Sequence, residues 1–256
     1  MKILVTGFTP FGGEQINPSW EAARRLPNRI GGAELIKHEI PTEFDASGAA
    51  LHKLLTELRP DAVLCVGQYG GANCIRVERV AINLRDARIA DNAGKQPTDE
   101  PVVAGGPDAY FATIPTREIV DALHEQGIPA QLSYSAGTFV CNNLLYCALH
   151  ESARSNPAPR CGFVHVPYLP EQAKDGNAPS MSLALMTKAL EIAAEVIVEA
   201  WNSKEKEPSD STVVQMALLH SSFDVGACNR TSAPRKFSRP TDALINCPPN
   251  LEHGAA

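Results

Sequence analysis

The sequence lacks any long hydrophobic run. Although 44% of its 256 residues are apolar, no segment approaches the roughly 18 consecutive apolar residues that indicate a membrane-spanning helix. The apolar run within residues 1–5 is also too short for the hydrophobic core of a signal peptide. We therefore expect a cytoplasmic protein without a membrane partner.

An excess of positive charge is lacking too. The chain carries 23 Lys and Arg against 29 Asp and Glu, which gives a formal net charge of −6. Proteins that bind nucleic acids usually present a broad basic surface to the phosphates, and this composition does not supply one. We therefore expect no nucleic-acid partner.

The sequence also contains none of the usual patterns for metal ions or dinucleotides. There is no Cys-x-x-Cys or His-x-x-x-His spacing, and no G-x-G-x-x-G or P-loop pattern. The seven cysteines are scattered and odd in number, which is typical of cytosolic thiols rather than of a disulfide framework. We expect neither a metal ion nor another cofactor.

Strand and helix patterns alternate over residues 1–201. Apolar or alternating runs predict strands at residues 2–7, 35–40, 62–66, 76–84, 131–134 and 161–166. Apolar residues at helical spacing predict helices at residues 21–26, 44–58, 116–126, 140–152 and 181–201. This alternation favours a single α/β domain, an open, mostly parallel twisted sheet flanked by helices on both faces, which is an α/β/α sandwich.

Two segments interrupt this alternation. Residues 90–107 contain three prolines, three glycines and few apolar residues, which predicts a long loop. Residues 202–256 begin with a charged stretch and continue rich in serine and proline. We expect this second segment to be a C-terminal extension, mostly disordered or foreign, that carries no chemistry.

Cys141 is the candidate nucleophile. Small residues at 135–138 join a predicted strand to the helix in whose first turn Cys141 lies. The unpaired N–H groups and the positive end of the helix dipole favour a thiolate there, and they can stabilise an oxyanion. The alternative from the local sequence is a small buried apolar residue, which is the commoner role of a free cysteine.

A base and an orienting acid complete the candidate site. His165 lies near the end of the predicted strand 161–166, and parallel sheets gather their sites at the carboxyl ends of strands, where His165 and Cys141 can meet. Glu78 is an acidic residue inside an apolar strand and is the candidate for orienting the imidazole. Its alternative role is a salt bridge with a neighbouring arginine.

Six motifs follow one another along the chain: TGFTPFGG (6–13), NPSW (17–20), ERVAIN (78–83), ARIADN (87–92), AGTFVCN (136–142) and HVPYLPEQ (165–172). Together they resemble the pyroglutamyl peptidase I (pyrrolidone-carboxylate peptidase) family of cysteine peptidases, from residue 1 to about residue 201. The resemblance implies an enzyme that removes an N-terminal pyroglutamyl residue, with Cys141 as nucleophile, His165 as base and Glu78 as orienting acid. It also implies pyroglutamylated peptides as partners and a homo-oligomer, a tetramer in many members.

The resemblance further implies a pocket for a flat, neutral lactam ring. Phe8 and Phe11 correspond to positions that flank the ring, although core packing is the simpler role for both without the resemblance. Gln68 matches the position that hydrogen-bonds the lactam. Arg88 is implied to assist the backbone N–H of Cys141 at the oxyanion. Phe139 and Val140 are expected to line the pocket beside the nucleophile.

Two positions depart from the family pattern. Arg76 stands where Ser or Thr is usual, two residues before Glu78, and is expected to alter the local charge there. Asn143 stands where His is common. Neither departure touches the three candidate catalytic positions.

Two other functions stay open at this point. A nucleoside phosphorylase or hydrolase could use a similar sheet, with Gly70, Gly71 and Arg76 as the candidate phosphate site. A non-catalytic protein could keep the pocket and bind pyroglutamate without turnover. The second alternative is disfavoured because all three catalytic positions are filled.

Overall fold

A seven-stranded sheet lies at the centre of the described part of the chain, which comprises residues 1–173 and 178–206 of a computed structural model. Its strands are β1 (Lys2–Phe8), β2 (Arg29–Ile30), β3 (Ala33–Ile40), β4 (Ala62–Gln68), β5 (Ile75–Glu78), β8 (Ala130–Ser133) and β9 (Arg160–Val166). They are ordered β2-β3-β1-β4-β9-β5-β8 across the sheet. Two further strands pair with each other outside it, β6 (Val80–Ile82) and β7 (Ala109–Phe111).

Most neighbouring strands of the large sheet are parallel. β1 pairs in parallel with β3 and β4, β4 with β9, and β5 with β8. Only the β2–β3 and β5–β9 pairs of this described sheet are antiparallel. The prediction of an open, mostly parallel sheet is confirmed.

Helices cover both faces of the sheet. They are α1 (Pro18–Ala23), α2 (Phe44–Leu58), α3 (Thr116–Glu125), α4 (Val140–Ala153) and α5 (Leu183–Lys206). Along β4, residues 62, 64 and 66 pack into one apolar cluster with α1, α3 and α5, whereas residues 63 and 65 pack into a second cluster with α2 and α4. Because side chains alternate across a strand, this division confirms the predicted α/β/α sandwich.

The strand predicted at residues 76–84 is two strands in different sheets. β5 lies between β9 and β8 and is almost fully buried. The chain then leaves the large sheet at Arg79, whose N–H donates to the Ser133 carbonyl at 2.8 Å, before β6 pairs with β7. The prediction of one half-buried strand is therefore wrong, because the sequence does not show that this segment has a neighbour on each side.

The longest helix passes the predicted domain boundary. α5 continues to Lys206, beyond residue 201, and none of the helices that the structure describes is long and apolar enough to span a bilayer. Residues 207–256 lie outside the described residues. That they form a disordered or foreign extension stays a prediction.

The predicted loop at residues 90–107 forms no helix or strand and is tied to the domain. Asp91 accepts a hydrogen bond at 2.8 Å from the N–H of Phe44, at the start of α2. The Lys95 ammonium lies 3.0 Å from the Asp45 carboxylate, and the Asn92 amide donates to the Pro10 carbonyl at 2.8 Å. These contacts hold the loop against the start of α2 and the segment that follows β1.

Asn17 holds the segment between β1 and α1. Its Oδ1 caps α1 by accepting hydrogen bonds from the Ser19 N–H (3.1 Å) and hydroxyl (2.8 Å), and its Nδ2 donates to the Thr9 carbonyl at 3.0 Å. Asn17 is only 3% exposed, so water cannot replace these bonds.

We expect Asn17→Ala to lower the free energy of unfolding by about 1–3 kcal/mol, because it removes a helix cap and leaves buried donors unpaired. Urea unfolding measures the difference. The control is Asn28→Ala, which removes an exposed amide bonded to Lys37 and should change stability by less than about 0.5 kcal/mol. Equal losses in the two variants would contradict the assignment.

Candidate active site

Two neighbouring strand ends form the floor of the site. Gly67 of β4 and His165 of β9 are register partners in a parallel pair, so their side-chain positions lie on the same face of the sheet. Phe163, two residues before His165, belongs to the apolar cluster under α2 and α4. His165 therefore projects towards the face that α4 covers.

Glu78 holds the imidazole of His165. Glu78 Oε1 lies 2.8 Å from His165 Nδ1, and the two residues are 0% and 1% exposed. Since a carboxylate only accepts hydrogen bonds, Nδ1 carries the hydrogen, and in the neutral imidazole the lone pair is at Nε2. The imidazole is thereby set up to accept a proton at Nε2.

Cys141 lies in the first turn of α4, whose N-terminus has no side-chain cap. The N-cap residue is Phe139, which makes no capping hydrogen bond, so the first-turn N–H groups are open to a ligand. A Cβ atom added to Gly67 would lie 2.9 Å from Cys141 Sγ. The sulfur therefore lies directly over Gly67, on the face from which His165 projects.

The surroundings of Cys141 disfavour the thiolate form of its side chain. Burial raises its pKa to about 12, and the negative charge of Glu78 adds to this effect, while a hydrogen bond from the backbone N–H of Cys141 itself acts in the opposite direction. The expected thiolate is thus not the form that this environment favours. Desolvation outweighs the helix N-terminus, so the proton has to leave the sulfur during the reaction.

Two aromatic rings line one side of the site. Phe11 and Phe139 are half-buried with centroids 6.1 Å apart, and Phe44 packs edge-on against Phe139 at 5.3 Å. Phe8 and Val140 are 2% and 1% exposed and belong to the apolar core. The ring surfaces left for a ligand are therefore those of Phe11 and Phe139.

A hydrogen bond holds the side chain of Gln68, whereas the side chain of Arg88 has none among the described residues. Gln68 follows Gly67 at the end of β4, and its Oε1 accepts a hydrogen bond from Gln172 at 3.1 Å, which leaves its own amide hydrogens available. Arg88 lies just before the loop 90–107, and its carbonyl accepts a hydrogen bond from Gln96 at 3.1 Å. Its exposed guanidinium makes no hydrogen bond or ion pair with the described residues.

Three further residues surround the Glu78–His165 pair, and of these the sequence pointed only to Arg76, as a charge near Glu78. Tyr69 packs its ring edge-on against His165 at 5.4 Å. Arg76 Nε lies 3.8 Å from Glu78 Oε1, and Ser133 accepts a hydrogen bond from Arg76 at 2.8 Å. The two-residue spacing of Arg76 and Glu78 on a strand was a usable signal, whereas nothing in the sequence indicates Tyr69 or Ser133.

Two asparagines fix the start of α4. Asn142 exchanges hydrogen bonds with the backbone N–H and carbonyl of Ile82, at 3.0 and 2.9 Å. Asn143 donates to the Phe44 carbonyl at 2.8 Å and accepts from Arg85 Nε at 2.7 Å. The departure from the family pattern at Asn143 therefore has a structural role, which is to join α4 to α2.

An imidazole held by a carboxylate, on the same face of an α/β sheet as a cysteine at a helix start, is the arrangement of cysteine hydrolases. Within the described residues, His, Cys, Asp and Glu side chains form no group of three that could hold a metal ion. The chain belongs to the pyroglutamyl peptidase family, whose pattern matches residues 1–200.

Similar proteins carry consistent names. The pyrrolidone-carboxylate peptidase of Thermococcus onnurineus is 51% identical over 200 residues, which are 78% of this chain and 100% of that protein. Pyroglutamyl peptidase I of Bacillus amyloliquefaciens has a crystal structure with a TM-score of 0.75 and 50% identity, covering 77% of this chain and 96% of that one. The structure of a variant pyrrolidone carboxyl peptidase of Pyrococcus furiosus has a TM-score of 0.76 and 45% identity, covering 78% of this chain and 99% of that one.

We expect Gly67→Ala to lower the free energy of unfolding by about 1–3 kcal/mol, because the new methyl group would overlap a buried ring as well as the Cys141 sulfur. The added Cβ would lie 2.6 Å from Phe163 Cζ. Gly48→Ala, in α2, meets only the Cys147 sulfur at 3.3 Å and is the matched control. Urea unfolding gives the free energy of unfolding of both variants. An unchanged value for Gly67→Ala would show that the site has room for a methyl group and would contradict the prediction.

The raised pKa of Cys141 predicts a particular pH dependence of its alkylation. Below that pKa the thiol predominates, so the rate with iodoacetamide should rise about tenfold per pH unit from pH 7 to 10 without levelling off. Mass spectrometry of the peptide that contains Cys141 follows the rate. In urea, the alkylation rate of the same cysteine should level off above its ordinary pKa of about 8.5. A plateau below pH 8 in the folded protein would instead indicate a preformed thiolate.

Proposed function

We propose that this chain is a cysteine peptidase that hydrolyses the bond after an N-terminal pyroglutamyl residue of peptides and small amides. The proposal is carried by one observation, the buried hydrogen bond of 2.8 Å between Glu78 and His165 on the face of the sheet that Cys141 occupies. Membership of the pyroglutamyl peptidase family supplies the substrate class.

In the first half-reaction Cys141 Sγ attacks the carbonyl carbon that joins pyroglutamate to the next residue. Its proton moves to His165 Nε2 as the carbon–sulfur bond forms, because the thiol is uncharged beforehand. Glu78 keeps the tautomer and stabilises the imidazolium that results. His165 then gives the proton to the leaving amine, the carbon–nitrogen bond breaks, and a thioester remains.

The second half-reaction hydrolyses the thioester. Water loses a proton to His165 Nε2 and attacks the thioester carbonyl, and the carbon–sulfur bond breaks as that proton returns to Cys141 Sγ. In both steps the negative oxygen is bound by the backbone N–H of Cys141, in the uncapped first turn of α4. Arg88 is the assisting residue, since its exposed guanidinium has no other partner within the described chain.

The pocket selects a neutral ring. Phe11 and Phe139 flank the lactam, Phe8 and Val140 support them from the core, and the free amide hydrogens of Gln68 donate to the lactam carbonyl. A peptide with an ordinary N-terminus would bring an ammonium group into this apolar site. Burying that charge unpaired costs several kcal/mol, which excludes the substrates of common aminopeptidases.

The two alternatives are not favoured. The phosphate site that a nucleoside phosphorylase needs is not open at Gly70 and Arg76, because Arg76 is engaged by Glu78 and Ser133. A Cβ at Gly70 would lie 2.3 Å from the Tyr168 ring, so this turn is packed against protein. A non-catalytic binder has no need of the buried Glu78–His165 pair.

The cytoplasmic location and the homotetramer belong to the same proposal. The location rests on the composition and the tetramer on the family resemblance.

The decisive experiment is Cys141→Ala, assayed for release of a chromogenic amine from a pyroglutamyl amide. We expect at least a thousandfold loss of kcat/KM, roughly what removal of a nucleophile costs. Cys147→Ala, which changes a half-buried cysteine of the same helix, should stay within a few fold of the parent. The parent should leave prolyl and glutaminyl amides intact. Turnover by Cys141→Ala, or equal cleavage of all three substrates, would refute the proposal.

A further inference from the structure

Arg76 lies beside the Glu78–His165 pair on the same face of the sheet. It is the register partner of His165 in the antiparallel β5–β9 pair, and it lies two residues before Glu78 on the same strand, so all three side chains are on one face. Its Nε is 3.8 Å from Glu78 Oε1, the oxygen that also binds His165. This distance is too long for a hydrogen bond but short enough for a strong charge interaction.

Two contacts hold the guanidinium at that distance. Its NH2 group donates to Ser133 Oγ at 2.8 Å, and its planar face lies 4.4 Å from the centre of the Tyr69 ring. Tyr69 in turn packs against His165. The arrangement supplies a positive charge to Glu78 without taking the carboxylate oxygen away from the imidazole.

The pair is sensitive to that charge because it is desolvated. Glu78 Oε2 is buried and has no hydrogen-bond partner among the described residues, and the same is true of Arg76 Nε. The Arg76 side chain is 22% exposed and that of Glu78 is fully buried. Water therefore screens their interaction poorly.

We propose that Arg76 is a positioning residue that sets the acid limit of the reaction, because its fixed charge opposes the binding of an extra proton by the Glu78–His165 pair. The inference rests on the proposed function, in which His165 has to be neutral to accept the Cys141 proton. It holds whichever of the two residues the extra proton would occupy, since a nearby cation disfavours both protonated forms.

Other titratable groups near the pair do not supply this charge. Cys141, from α4, is a thiol whose pKa is about 12. Tyr69, from the segment after β4, presents its ring edge to His165. Cys74 lies near Arg76, where burial raises the pKa of its thiol and the guanidinium opposes this effect. Among these groups Arg76 alone carries a positive charge.

The test compares pH profiles of kcat/KM for the pyroglutamyl amide. Arg76→Gln should move the acid limb upwards by about one pH unit, the effect of losing one close opposite charge. The kcat/KM of Arg76→Gln should therefore be about tenfold lower than that of the parent at pH values below the acid limb, and similar to it at higher pH. Arg76→Lys keeps the charge and should keep the limb, and Arg117→Gln, which removes an exposed arginine from α3, is the matched control.

A readout that does not need activity is the titration of the His165 imidazole by NMR in histidine-labelled protein, which should move in the same direction. If Arg76→Gln does not fold, Arg76→Met retains the apolar part of the side chain against Tyr69 and takes its place. An unmoved limb, or a loss that is equal at every pH, would overturn the inference. A parent chain that does not cleave the pyroglutamyl amide would refute the proposed function instead, and the NMR titration would still decide the role of Arg76.

Discussion

The hydrogen bond between Glu78 and His165 is the constraint on which the rest of the site depends. It joins the neighbouring strands β5 and β9, which run antiparallel in a sheet that is otherwise mostly parallel. Both side chains are buried there, so water does not compete for either. A carboxylate buried in this way is stable only with partners, and within the described residues the imidazole supplies its one side-chain hydrogen bond. The pair is therefore a structural element of the core as well as a chemical one.

Cys141, the proposed nucleophile, is placed by packing rather than by charge. Gly67 lets the Cys141 sulfur approach the sheet to a distance that any side chain at this position would block, and the two asparagines fix the start of α4 from β6 and α2. This close approach also desolvates the thiol and keeps its proton in place. Selectivity against stray alkylating or oxidising agents follows, since a neutral thiol reacts slowly until a carbonyl is bound next to it.

The fold could be predicted because its signals are local, whereas the catalytic roles of Cys141, His165 and Glu78 rest on the family resemblance as well and stay a prediction. Apolar strands that alternate with helical patterns indicate the sandwich, and Cys141 and His165 each occupy a characteristic place, a helix start and a strand end. What could not be predicted depends on neighbours in space. The break between β5 and β6 arises because β5 lies between β8 and β9, and Tyr69 is brought to His165 by a turn that has no pattern of its own. At Cys141 the sequence shows the helix dipole, which favours the thiolate, but not the burial that raises the pKa of the thiol.

The uncapped N-terminus of α4 has a thermodynamic consequence. A helix that begins with Phe139 forgoes the roughly 1 kcal/mol that a serine or aspartate cap contributes. An oxyanion or carbonyl oxygen of a bound ligand supplies the missing acceptor, so the helix is completed only when the site is occupied. Ligand binding and folding are thereby linked: transition-state mimics that bear a negative oxygen should act as thermal protectants of this fold, and analogues without that oxygen should protect it less.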